Sequence, residues 1–229
     1  MPESTCQERL RSLRAARSPD QRAWTRTVTT CGGTGCQASR SMDVVEALRA
    51  ELTARGLDET VRVRVTGCHG FCEQGPILII DPANVFYCHV AVDDVAEIVA
   101  HTITEGNVIE RLLYTDPVSG KRVVTEAEIP FYRHQDRVLL AQNRQVDPED
   151  IGDYLAIGGY GALTKVLDGM TPEAVIEEIS ASGRRGRGGG GYPTGRKWAQ
   201  CRAAKGDPKY VVCNADEGDP GAYMDRSIL

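Results

Sequence analysis

From Trp24 to Thr30 the chain alternates and is rich in threonine and valine, which predicts a strand running into Cys31. Ser41 to Arg55 sets Val44, Val45, Leu48 and Leu52 on one helical face. Val61 to Thr66 alternates valine with arginine and threonine, as a half-buried strand does. Two more strands are predicted over Pro76 to Ile80 and Val85 to Val90, joined by the turn-rich run Asp81 to Asn84. Val92 to Thr104 puts Val92, Val95, Ile98, Val99 and Ile103 on one face of a closing helix. The order is strand, helix, strand, strand, strand, helix, which is an α/β pattern.

Beyond residue 104 the periodicity weakens. Residues 105–130 read as a linker, with a turn signal at Asp116 to Gly120, and 131–229 as part of a second domain. Val138 to Leu140 is a candidate short strand. Asp147 and Pro148 look like the N-cap and first position of a helix, and Thr171 and Pro172 look the same. Lys209 to Cys213 predicts a short buried strand. At the other end, residues 1–23 form a tail containing Arg9, Arg11, Arg14, Arg17 and Arg22. Glu3, Glu8 and Asp20 argue against a transit peptide there, so a frayed helix is expected.

Composition narrows the function classes. At 229 residues there is room for one or two domains, and a net charge of −5 gives no electrostatic case for nucleic acid. No apolar run approaches the roughly 18 residues of a membrane span. Eight cysteines without a secretory signal predict a reducing compartment and hence a cytoplasmic protein.

Four of those cysteines are paired along the chain. Cys31 and Cys36 enclose Gly-Gly-Thr-Gly; Cys68 and Cys72 enclose His-Gly-Phe. Each pair follows a predicted strand, so both pairs can meet at one edge of a sheet. Four thiolates from two loops are what a [2Fe–2S] cluster needs, and the glycines let backbone N–H groups approach its sulfurs. A structural zinc site tolerates the same spacing. Disulfides fit less well, because the chain is long enough to build a core without them. The plant-type ferredoxin spacing is absent, since Gln37 to Arg40 contain no cysteine. Cys6, Cys88, Cys201 and Cys213 read as ordinary thiols.

A second concentration of chemistry lies at Ser182 to Trp198, where seven glycines and five cationic side chains share 17 residues. Bare backbone amides with Arg and Lys make a cradle for phosphate oxygens. Gly186 to Gly191 satisfies G-x-G-x-x-G, but a dinucleotide fingerprint follows a strand, whereas a helix is predicted here. The alternative is a flexible, solvated Gly/Arg loop, against which Tyr192, Pro193 and Trp198 bring rigid apolar surface. Close behind come Asn214, Asp216, Glu217 and Asp219, an amide and three carboxylates suited to ribose hydroxyls or a polar ring, or alternatively a solvated acidic turn.

These motifs carry two resemblances. Residues 24–104, through Cys31-Gly-Gly-Thr-Gly-Cys36 and Thr66-Gly-Cys68-x-Gly-x-Cys72, resemble the thioredoxin-like [2Fe–2S] ferredoxins. About residues 110–229 resemble the flavin- and NADH-binding subunit of respiratory complex I and its relatives in NAD-linked hydrogenases and formate dehydrogenases. The carriers are Gly186 to Trp198, Cys213 to Gly221, Asp225-Arg226, and Ile151 to Tyr160. The resemblance implies FMN and NAD(H), with Cys31, Cys36, Cys68 and Cys72 as cluster ligands. It implies that Gly186, Arg187, Gly188, Gly189, Gly191 and Lys197 bind the flavin, and that Tyr192 stacks on the nicotinamide nucleotide. Asn214, Asp216 and Glu217 would lie around the flavin, with Glu217 the catalytic candidate. Tyr192 and Gly190 depart mildly from the family's usual Phe and Ala.

The resemblance also implies a longer subunit, with a [4Fe–4S] cluster only in a further C-terminal part, and partners that are other Fe–S subunits of a multi-subunit oxidoreductase. Residues 1–104 are expected to fold alone and 150–229 to be unstable alone. An alternative function is an electron-carrier and docking module with an incomplete flavin site.

Overall fold

The computed structural model describes residues 5–16 and 24–228. Residues 1–4 and 17–23, which hold much of the expected tail, lie outside the described residues. The chain divides into two compact units: Ser18–Tyr154 with Ala215–Leu229, which bears the paired cysteines, and Met1–Arg17 with Leu155–Asn214, which bears the glycine loop.

The cysteine-bearing unit is built on a four-stranded sheet: β1 (Arg26–Cys31), β2 (Val61–Thr66), β3 (Leu78–Asp81) and β4 (Val85–Tyr87), in the order β2-β1-β3-β4. β1 and β2 run parallel, joined through the helix Ser41–Ala54, and β3 and β4 are antiparallel to their neighbours. Val44, Val45, Leu48 and Leu52 are buried as the helical period requires. Val44, Leu48 and Leu52 pack on the sheet face carrying Val28, Leu78, Ile80 and Tyr87. A helical run closes this layer, 3₁₀ over Val92–Asp94, α over Val95–Glu97 and π over Ile98–Glu105. Val95, Ile98, Val99 and Ile103 are buried in it. Val92, expected on the same face, is instead exposed, because the run begins in a 3₁₀ turn out of phase with the later helix.

The segment read as a linker, 105–130, belongs to this unit's core. The Tyr87 hydroxyl bonds Thr102 Oγ1 at 2.7 Å and accepts the Ile109 N–H at 2.9 Å, drawing the chain back over β4. The hairpin of β5 (Tyr114–Thr115) and β6 (Arg122–Val123) follows, with bridges from Leu113 to Tyr87 and from Thr125 to Val85. Tyr114, Ile129 and Tyr132 then cover the second sheet face, which carries Cys31, Ile79, Phe86 and Cys88. Both faces of this sheet are therefore apolar, and one helical layer covers only one of them. Residues 24–104, expected from the sequence to belong to a segment that folds alone, do not include Tyr114, Ile129 and Tyr132, which cover that second face.

Val138 to Leu140 is a bend leading into turns, not a strand, and Val138 and Leu139 are exposed. That stretch is anchored by its charges: Arg137 and Arg144 both reach the buried Glu126 carboxylate, at 3.0 and 2.7 Å. The helix expected from Asp147 begins later, at Ile151. Asp147 holds the turn before it through the Glu149 N–H, and the Asp150 carboxylate takes the Gly152 N–H at 2.8 Å. Asp153, almost fully buried, pairs with Arg62 of β2 at 2.9 Å.

In the glycine-loop unit the described residues form helices and loops. Cys6–Ala16 packs on Gly161–Leu167, and Pro172–Ala181 packs on Thr194–Ala203. Asp168 caps the first of these helices, taking the N–H groups of Cys6 and Gln7 at 2.7 and 2.8 Å. Thr171 caps Pro172–Ala181 through the Ala174 N–H, with Pro172 in the first turn, as the sequence predicts. Gly195 permits the close helix crossing, since a Cβ there would stand 2.2 Å from Ser180 Oγ. Lys209 to Cys213 is not a strand, and Tyr210, Val211 and Val212 are exposed. Among the described residues of this unit there is no strand for it to pair with.

Candidate metal centre and glycine-rich loop

The parallel register places Cys31, the last residue of β1, opposite Thr66, the last of β2, and the Gly32 N–H to Thr66 carbonyl bond at 2.8 Å extends that pairing. Both cysteine loops therefore leave the sheet at the same edge. Cys36 sits in the short helix Thr34–Ala38, and Cys72 opens the 3₁₀ turn Cys72–Gln74. The sulfurs of Cys68 and Cys72 are 4.0 Å apart, and Cys31 lies close enough to Cys36 and Cys68 for their thiols to perturb its own. All four thiols are free; Cys31, Cys36 and Cys68 are buried and Cys72 is exposed.

Glycines make this approach possible. A Cβ on Gly33 would meet Cys68 Sγ at 3.3 Å, one on Gly35 would meet Cys72 Sγ at 3.1 Å, and one on Gly75 would meet Cys36 Sγ at 2.7 Å. Each loop thus lies against the other's sulfurs with no side chain between. The Gly70 N–H donates to Cys68 Sγ at 3.3 Å, the kind of contact that stabilises thiolate charge. Among the described residues no group of three or more His, Cys, Asp or Glu is drawn together tightly enough for a single ion. Four thiolates divided between two apposed, glycine-lined loops suit a two-iron cluster, which spreads its ligands over two metals.

Apart from Cys72, the surroundings are largely buried. His69 is fully buried, which pushes its pKa down to about 3 and keeps the ring neutral; its Nε2 is 2.7 Å from Thr66 Oγ1. Phe71 is ringed by Tyr114, Phe131 and Tyr132. Cys88 lies in the same apolar cluster with its thiol pushed up to about 12 by burial. Sequence reasoning missed the aromatic ring and also Asn143, whose Nδ2 donates to the Cys68 carbonyl at 3.1 Å. The apolar run Ile129 to Tyr132 was a signal for the aromatics. Nothing in the sequence around Asn143 marks it.

The glycine-rich loop is pinched at its base. Gly186 N–H donates to the Tyr192 carbonyl at 2.8 Å, Thr194 N–H donates to the Arg184 carbonyl at 2.9 Å, and Arg185 bridges Pro193. Gly189 and Gly191 hold φ of 90° and 59°, which favours glycine. Nothing lies within 4 Å of a Cβ built on Gly188, Gly189, Gly190 or Gly191, so the backbone is open to a ligand. Lys197 lies in the first turns of Thr194–Ala203. With Gly186, Gly188, Tyr192 and Trp198 it lines a groove of about 960 Å³. Arg187 is exposed on the loop. Tyr192 Oη donates to Gln200 Oε1 at 3.0 Å, which steadies the ring. The amides and cations suit phosphate, and the apolar wall of Val175, Ile176 and Trp198 suits a planar ring system.

The acidic run is divided between the units: Asn214 falls in the glycine-loop unit, Asp216 and Glu217 in the cysteine-bearing unit. The Glu217 carboxylate accepts the N–H groups of Asp225 and Arg226 at 2.9 and 3.2 Å, capping the helix Met224–Ile228.

Comparison with known proteins bears on both motifs. Residues 20–102 match the family model of the thioredoxin-like [2Fe–2S] ferredoxins, and 179–229 match that of the Nuo51 FMN-binding domain. The NADP-reducing hydrogenase subunit HndC of Solidesulfovibrio fructosivorans is 56% identical over 84 residues, covering 37% of this chain and 17% of that protein. The NAD-reducing hydrogenase HoxS subunit alpha of Cupriavidus necator is 32% identical over 169 residues, covering 72% of this chain and 25% of that one. The chain spans a quarter or less of the length of these two relatives. A 2Fe-2S ferredoxin of Clostridium pasteurianum is 44% identical over 77 residues, covering 34% of this chain and 76% of the ferredoxin. Through residues 20–102 the chain belongs to the thioredoxin-like [2Fe–2S] ferredoxin family, and residues 179–229 match the model of the Nuo51 FMN-binding domain.

Proposed function

We propose that the chain is the electron-transfer part of an NAD(P)H-linked flavin iron–sulfur oxidoreductase subunit, with hydride exchange between NADH and FMN and single-electron transfer through a [2Fe–2S] cluster. The observation that carries this reading is the meeting of Cys31, Cys36, Cys68 and Cys72 at one sheet edge, in a chain that also bears the FMN-domain segment. FMN, when bound, supplies the conversion between two-electron and one-electron chemistry. The protein's part is to hold and orient. Gly188, Gly189 and Gly191 offer unobstructed backbone to phosphate, Gly186 closes the base of the loop against Tyr192, and Arg187 and Lys197 supply charge. Tyr192 presents a ring for stacking. Asn214 and Asp216 offer polar groups to the ribityl chain, and Glu217 is the catalytic candidate. The partners are other Fe–S subunits of a hydrogenase, formate dehydrogenase or complex I-like assembly, in the cytoplasm. No helix among the described residues is long and apolar enough to cross a membrane.

A second reading is an electron-carrier and docking module alone. It is favoured by Glu217, whose two carboxylate oxygens are engaged by backbone N–H groups, and by the exposure of Tyr210 to Val212 beside the loop. A visible spectrum of anaerobically purified protein, before and after NADH, separates the two. Cluster bands with a flavin band that bleaches on NADH support the first, and cluster bands without flavin support the second. A colourless protein after cluster reconstitution sinks both.

A further inference from the structure

We propose that Asn143 is a positioning residue for the Cys68–Cys72 loop and sets the reduction potential of the cluster assigned to the four cysteines. The inference rests on that assignment. The inner side of the loop is held by its own groups, through Thr66 to His69 and through the Gly70 N–H to Cys68 Sγ. Phe71 is held by its aromatic neighbours, and the Cys68 peptide is held by a side-chain hydrogen bond from a distant segment. Asn143 Nδ2 donates to the Cys68 carbonyl at 3.1 Å and to the Ser227 carbonyl at 3.3 Å.

The approach is built into the backbone. A Cβ on Gly67 would stand 2.9 Å from Asn143 Nδ2 and 3.1 Å from its Cγ, so the amide lies directly on the glycine. The next residue fixes Asn143 in place. Arg144 reaches Glu126 at 2.7 Å, Asn84 at 2.6 Å and Asp81 at 3.1 Å, tying the 143–144 turn to the β3–β4 hairpin and to the buried Glu126. Asn143 is half-buried, where an amide dipole acts through less screening than in water.

The consequence is electrostatic and geometric. Reduction adds an electron to a cluster, so a nearby carbonyl whose negative end is unpaired opposes it. The Asn143 N–H neutralises that end at Cys68 and also fixes the peptide from which the Cys68 side chain hangs. Removing the donor lowers the potential. Replacing it with a carboxylate lowers the potential further, because a full negative charge then faces two carbonyls and the cluster.

The test uses the full chain, reconstituted anaerobically and titrated by visible absorption and EPR, as wild type and as Asn143→Ala, Asn143→Asp and Gly67→Ala. All three variants are expected below wild type, with Asp lowest. Gly67→Ala should behave like Asn143→Ala, since its methyl expels the amide without altering Asn143. Equal potentials and equal EPR spectra in all four proteins would overturn the proposal, as would an upward shift. Loss of cluster uptake at an unchanged melting temperature supports positioning. The same loss with a fallen melting temperature overturns it in favour of a purely structural role. A wild type that takes up no cluster fails the assignment itself, and the proposal with it.

Discussion

The ring of Phe71 lies flat on that of Phe131, with centroids 4.3 Å apart and planes 6° from parallel. Phe71 stands between Cys68 and Cys72, whereas Phe131 belongs to the helix Pro130–Arg133 that covers the second sheet face. Tyr132 meets Phe71 edge-on at 5.4 Å and Phe86 at 5.9 Å, so the cysteine loop is clamped to the sheet through aromatic contacts. Phe131→Ala removes the stack and opens one side of the loop. It should cost about 1–2 kcal/mol in urea unfolding, and reconstituted protein should lose its visible bands faster in air than wild type. Identical bleaching rates would show that the clamp does not shield the cysteines.

Gly75 faces Cys36 Sγ so closely that a Cβ would stand at 2.7 Å. Its φ is −72°, which any residue adopts, so Gly75→Ala adds one methyl against a sulfur and little backbone strain. Overpacking of this kind costs about 1–3 kcal/mol, here concentrated on a ligand rather than on the core. We expect far-UV circular dichroism close to wild type with a clear drop in iron and acid-labile sulfide per chain. Full cluster content in Gly75→Ala would mean that Cys36 can turn aside without losing its place.

Much of this was legible in the chain because local pattern and tertiary outcome agree. The period of Val44, Val45, Leu48 and Leu52 is the period of one buried helix face, and the alternation of Val61 to Thr66 is that of a sheet strand. The cysteine pairs were legible because each follows a strand. The role of residues 105–132 was not, since Ile109, Leu112, Tyr114, Ile129 and Tyr132 have no regular spacing and are buried by tertiary contact alone. Lys209 to Cys213 misled for the opposite reason. Its strand-like composition is real, but a strand needs a partner, and the described residues of its unit contain none.

The eight thiols should separate by reactivity. Cys88 is buried, and desolvation pushes its thiol up to about 12, so almost no thiolate exists near neutral pH. Cys201 and Cys213 are exposed. Native cluster-loaded protein treated with iodoacetamide at about pH 8, near the unperturbed cysteine range, should be alkylated at Cys201 and Cys213 and spared at Cys88. Mass spectrometry of the peptides reads this directly. Modification of Cys88 at the rate of Cys201 would place its pocket open to solvent. Cys88→Ala should keep the visible spectrum, whereas Cys31→Ala and Cys72→Ala should abolish it.

The cysteine-bearing unit extends well past residue 104, to Tyr154. Cutting after Thr104 uncovers Ile79, Phe86 and Cys88 on the second sheet face and takes the Ile109 N–H from the Tyr87 hydroxyl. The residues removed include Ile109, Leu112, Leu113, Ile129 and Tyr132, all buried. At about 1.5–3 kcal/mol for each large apolar side chain, that loss is comparable to the roughly 5–15 kcal/mol by which whole domains are stable. Extending the fragment to Tyr154 restores those side chains, and also the Arg137 and Arg144 partners of Glu126 and the Asp153 pairing with Arg62. A fragment of residues 24–154 should therefore melt cooperatively as a monomer. One of residues 24–104 should bind a hydrophobic dye and self-associate through its bare sheet face. Light scattering and thermal melts decide the matter. A monomeric, cooperatively melting 24–104 fragment would show that one helical layer suffices to hold this sheet, and that the aromatic cover serves the cysteine loop alone.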